Sequence, residues 1–168
     1  NEYSKALHIQ LDKNLIKNEN SKYDLMFLTP NRSSNIDHSA EICEKLDSWN
    51  FNNFNNNLEE NKNKKFPIDA HRILNYKSCR GLEAWTIVLW NLDVMIQNIK
   101  SNYVKDFPDS VENEITEHLN NWLLMIFTRA IDTLVITFNN YESEEYKMIL
   151  NLTKSDDFGH MAEIRDFN

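Results

Sequence analysis

Glycine is nearly missing from this chain: there are two in 168 residues, with three prolines. Tight hairpins draw on both residue types, so their scarcity argues against an all-β or doubly wound fold and favours helices. It also leaves little to build a phosphate-cradling loop. No GxSxG elbow, HExxH pair or di-iron ExxH pattern occurs, so no catalytic residues are assigned and an enzyme is not expected. Cysteine is equally scarce. Cys43 and Cys79 form no CxxC motif and no Cys/His cluster, which fits reduced thiols in an intracellular, cytoplasmic or nuclear protein. The histidines at 8, 38, 71, 118 and 160 are far apart. Pairings such as His38 with Glu41, or Glu114 with His118, supply two ligands on a helical face where zinc takes three or four. No metal and no cofactor are expected.

Long apolar runs are absent too. The stretches 85–99 and 122–138 are interrupted by Asn91 and Asp93, and by Arg129 and Asp132. Neither reaches the roughly 20 apolar residues of a membrane span. Positive charge is sparse: the net charge is −8, and the one tight basic run is Lys62, Lys64 and Lys65. Nucleic-acid binding is disfavoured on that balance, whereas a basic protein partner is favoured by long-range attraction. No signal peptide is visible and the chain starts at Asn1, which reads as a segment of a larger protein or a processed product.

What is present is periodicity. Leu82, Trp85, Leu89, Leu92, Ile96, Ile99 and Tyr103 alternate at spacings of three and four, which places them on one stripe of a long helix. Phe107-Pro108 marks a reversal, with Asp109 or Ser110 as the next cap. Ile115, Leu119, Trp122 and Ile126 form one stripe beyond it, and Leu123, Phe127, Ala130 and Leu134 a second. The predicted fold is all-α: a helical bundle built on a long antiparallel hairpin, about 82–104 and 109–138, with shorter flanking helices at 3–17, 36–49 and 142–152. Ser33, Ser34 or Asn35 would cap the second of these, and Phe158, Met161, Ile164 and Phe167 would add a last turn. Residues 1–168 read as a single helical domain, with an asparagine-rich flexible loop or linker at 50–65. Within the apolar helix, Arg129 and Asp132 are expected to pair with each other, or with Arg80 and the Trp85 ring.

The functional expectation is a non-enzymatic helical protein–protein interaction module, a subunit or segment of a larger assembly. Its partner would be another protein, basic or presenting an amphipathic helix. Trp90 lies off the main stripe beside Ile87 and Val94, a second apolar face suited to docking. Asp109, Glu112 and Glu114 would form an acidic tip at the hairpin turn, also partner-facing. The alternative is a small-molecule or lipid-binding bundle, with a pocket among Trp85, Trp122 and Phe127 and Arg129 holding an anionic head group.

Overall fold

A computed structural model describes residues 2–30, 37–157 and 159–163. It overturns the all-α expectation. Five strands form one fully parallel sheet: β1 (Leu25–Thr29), β2 (Asn53–Asn55), β3 (His71–Asn75), β4 (Ala84–Leu89) and β5 (Ala130–Ile136), in the order β2-β3-β1-β4-β5. Five helices flank it: α1 (Glu2–Lys17), α2 (His38–Ser48), α3 (Leu92–Asp106), α4 (Glu112–Phe127) and α5 (Glu144–Thr153). No helix among the described residues is long and apolar enough to cross a membrane.

The predicted hairpin fails at its two greasiest ends. Residues 84–89 (AWTIVL) and 130–136 (AIDTLVI) are strands, not helix. Both are rich in β-branched side chains, which favour strand; β4 is buried almost throughout, whereas β5 is an edge strand of partly buried and exposed residues. The remainder of the hairpin is real: α3 and α4 are helices reversing near Phe107, and they pack together. The segment 50–65 contributes edge strand β2 and a 3-10 turn at Glu59–Asn61. The proposed caps Ser33, Ser34 and Asn35 lie outside the described residues, as do Phe158, Ile164 and Phe167. Asp37 caps α2, its Oδ1 accepting from the backbone N–H of Ser39 and Ala40 at 3.1 and 3.2 Å.

Alternation along β1 divides the core. Leu25 and Phe27 face α1 and α2, meeting Leu11, Leu15, Ile42 and Leu46. Met26 and Leu28 face α3 and α4, meeting Met95, Ile96, Leu123 and Ile126. All five β1 residues are buried, as the central strand of a two-faced sheet requires. The connection from β3 to β4 has no α-helix. Residues 76–83 cross β1 on the α3/α4 side, with Tyr76 and Cys79 fully buried in that layer.

Scarce glycine proves no barrier, because parallel strands joined by helices need no tight hairpins. Where the backbone takes positive φ, asparagine does much of the work: Asn50 (φ 62°) follows α2 and Asn91 (φ 54°) follows β4, alongside Glu19 (φ 60°) and Gly81 (φ 80°).

Arg72 on β3 is 1% exposed. Its Nε donates to the carbonyl of Tyr23 at 2.7 Å and its Nη2 to that of Glu83 at 2.8 Å. The guanidinium lies 3.8 Å from the centre of the Tyr23 ring. Tyr23 precedes β1 and Glu83 precedes β4, so one side chain joins the starts of three adjacent strands. A lysine cannot span both carbonyls in that fixed fork. Arg72→Lys is expected to cost about 2 kcal/mol, read as a lowered urea midpoint with an unchanged slope.

Candidate functional site at the carboxyl edge of the sheet

The chain leaves β1 for α2 on one face and leaves β4 for α3 on the other. β1 and β4 are neighbours, so their carboxyl ends flank a topological switch point, the place where parallel α/β sheets open a crevice. A cleft of about 520 Å³ lies there, on the α1/α2 side. Phe27, Val88 and Val135 floor it, and Trp49, Trp90, Phe138 and Tyr141 supply aromatic walls.

Polar groups at its rim are held in place. Asn91 donates its backbone N–H to Thr137 Oγ1 at 3.0 Å, and its Nδ2 lies 3.4 Å from His38 Nδ1. Lys45 Nζ sits 4.4 Å from the centre of the Trp90 ring and donates to Glu41 Oε1 at 2.8 Å. Burial pushes the Glu41 carboxyl upward, but the hydrogen bond and charge of Lys45, with help from Trp90 and His38, outweigh it and hold the pKa below the ordinary value. The Lys45–Glu41 pair cancels most of the charge at this end of the cleft. Asp93, 2% exposed in the first turn of α3, accepts from the N–H groups of Asn139 and Asn140 at 2.9 Å each. That fixes the exit of β5 against the start of α3.

A second crevice of about 700 Å³ opens at the carboxyl ends of β1 and β3. Its lining is polar, and asparagine side chains already satisfy one another there. Asn57 Oδ1 accepts from the backbone N–H of Asn75 at 2.8 Å and from its Nδ2 at 3.2 Å. Asn55 Nδ2 donates to Ser39 Oγ at 3.1 Å, and Ser39 Oγ donates to Asp37 at 2.7 Å. The asparagine-rich segment therefore ties off strand ends.

The structure does not bring the residues of the predicted docking face onto one surface. Ile87 is fully buried towards α3 and α4, Trp90 lines the cleft on the opposite side of the sheet, and Val94 is half-buried in α3. The helical stripe that joined them is absent, and with it the helical interaction module. Asp109, Glu112 and Glu114 are exposed near the α3–α4 turn, where Glu114 Oε2 accepts from the N–H of Val111 at 3.2 Å. They come nowhere into the cleft's lining. The alternative pocket fails as well: Trp85 packs on the α1/α2 side, while Trp122 and Phe127 pack on the other, with the sheet between them. Arg129 donates Nε to the carbonyl of Met125 at 2.9 Å, and Asp132 accepts from Thr133 Oγ1 at 2.7 Å, instead of pairing together. Arg80 lies over the Trp122 ring at 5.7 Å.

Sequence reasoning picked out Trp90 but missed its companions. Asn91, Thr137 and His38 meet only because β4, β5 and α2 share the carboxyl edge, and no local spacing carries that information. Among the described residues, no group of three or more His, Cys, Asp or Glu is placed to hold a metal ion. Comparisons with known protein families, curated proteins and solved structures found no match to this chain.

Cys43 and Cys79 are both free and sit on opposite faces of the sheet. Burial pushes each thiol up to about 11. The reactive thiolate is correspondingly rare. Alkylation by iodoacetamide near pH 8, followed by intact mass, is expected to run about a hundredfold slower than on a free cysteine, and at ordinary speed in urea.

Proposed function

We propose that this chain is a ligand-binding α/β unit, and that its cleft holds a small, planar, uncharged molecule with hydrogen-bonding groups on its rim. The observation that carries this reading is the cleft's position and lining together: aromatic walls at the switch point between β1 and β4. Sites of this kind are largely apolar with a few fixed polar groups, and a volume near 520 Å³ falls in their usual range. Flat aromatic walls favour a flat ligand through offset stacking. Asn91 and His38 offer hydrogen bonds from positions already fixed by the fold. The mutual neutralisation of Lys45 and Glu41 argues for a neutral ligand rather than an anion or cation.

We further propose that the cleft binds without transforming its ligand. Among the residues that line the cleft, Thr137 Oγ1 accepts from the backbone N–H of Asn91 and donates to the carbonyl of Leu89, and Lys45 is paired with Glu41, so neither is an activated nucleophile of the kind that covalent catalysis requires. The test is saturation-transfer NMR with one- and two-ring neutral heteroaromatic fragments, adenine among them. Trp90→Ala is expected to weaken any binding fragment about tenfold or more while leaving the circular dichroism unchanged. Equal binding to the variant, or no fragment bound by the native chain at millimolar concentration, overturns the reading.

A further inference from the structure

Helix α1 is the outer wall of the cleft. Leu7, His8 and Leu11 line it, and the same helix borders a second groove of about 400 Å³ along β5 through Gln10 and Asn14. What holds α1 to the sheet includes an uncommon contact between two histidines. His8 is 4% exposed and His71, on β3, is fully buried. Their Nε2 atoms lie 3.2 Å apart. His71 Nδ1 lies 2.9 Å from the carbonyl of Lys22. A carbonyl only accepts, so that nitrogen carries a proton. In the neutral ring, His71 Nε2 is then bare and accepts the N–H of His8 Nε2.

We propose that this His8–His71 contact is a proton-excluding clasp, and that acidification releases α1 from the sheet and uncovers the cleft.

The geometry sets the stoichiometry. One proton fits between two facing Nε2 atoms, but two N–H groups pointed at one another at that distance cannot both remain. Two imidazoles exposed to water each take an additional proton below about pH 6.5. The docked pair therefore binds at least one proton fewer than the released pair. The charged neighbours act in both directions. Asp12, on α1, brings Oδ1 to 3.7 Å from His71 Nε2 and favours a single proton there. Lys22, between α1 and β1, opposes charge on either ring. His38, Glu41 and Lys45 of α2 face α1 across the cleft, with Glu41 and Lys45 already paired. The rings of Phe27, Trp49 and Phe51 also stand about His8, at 5.9, 5.9 and 4.3 Å, and solvate no charge by hydrogen bonding. Burial first, then the charges of His71 and Lys22, push His8 down to about 3.

The sign follows from the lowered value. A histidine held neutral when docked contributes fully above its free pKa, and its contribution falls as pH drops from about 6.5 towards about 3. With a difference of one proton, α1 docking weakens about tenfold per pH unit in that window. The clasp stands independently of which molecule the cleft takes.

Hydrogen–deuterium exchange with mass spectrometry tests it on the ligand-free chain, with rates corrected for the intrinsic pH dependence and α3 amides as the internal reference. Opening of α1 relative to α3 is expected to rise about tenfold per unit between about pH 6.5 and about pH 4.5. In His8→Gln the side-chain amide keeps an N–H for His71 but takes up no proton, so the slope is expected to flatten. A native slope of zero, or an unchanged slope in His8→Gln, overturns the proposal. Should that variant not fold, the native His8 ring settles the matter by NMR. A ring that titrates near its free pKa while α1 stays protected overturns it. A ring whose charging follows the loss of α1 protection supports it.

Discussion

A single buried cation, Arg72, fixes where three strands begin. Among the described residues its guanidinium has no carboxylate in hydrogen-bond contact. It directs two of its five N–H donors at the carbonyls of Tyr23 and Glu83 and stacks against the Tyr23 ring. Burial alone pulls its pKa down, with Tyr23 and Asp24 opposing that shift. Such a charge is tolerable only where hydrogen bonds replace its water. The requirement is geometric: unless β3, β1 and β4 start level with one another, the fork has one carbonyl at most. The registers Met26 with Arg72 and Leu25 with Thr86 are consistent with that constraint. Everything at the opposite edge of the sheet, including the separation of Trp90, His38 and Thr137, inherits this alignment.

The layers follow from the strand faces. Because β1 is buried on both sides, it separates two apolar clusters that share no helix. The switch at its carboxyl end then leaves part of the α1/α2 side roofed by α1 alone. That is why the cleft has a wall resting on a histidine contact as well as on leucines. A wall made of α3 and α4, which pack against each other as well as against the sheet, would offer no comparable freedom.

Much of the helical content was legible from periodicity: α1, α2, α3, α4 and α5 each fall, to within a residue or two, in segments whose spacing predicts helix. The strands were not, for a physical reason. Leu82, Trp85, Leu89 and Leu92 fit a three-and-four alternation, but a strand buried on both faces has no polar side and hence no period of two to betray it. Trp85 and Leu89 satisfy the helical pattern while facing opposite layers of the sheet. Glycine scarcity misled in the same direction, since asparagine at 50 and 91 takes left-handed backbone that glycine more often fills. Of the site, Trp90 stood out as an aromatic off the stripe. His38 and Asn91, 53 residues apart in the chain, carried no local signature.

The strap from β3 to β4 has a consequence for how this chain can vary. Residues 76–83 travel back along β1 with one 3-10 turn at Tyr76–Cys79 and no α-helix to take up slack, where parallel crossovers commonly spend a dozen residues or more. A deletion there would have to be absorbed by sliding one strand past its neighbour. A slip of one residue exchanges the two faces of that strand, sending Ile87 into the α1/α2 layer and Val88 into the α3/α4 layer, and pulling Glu83 off the arginine fork. Length in this stretch is consequently frozen, whereas the turn between α3 and α4 touches neither strand start and is free to grow or shrink.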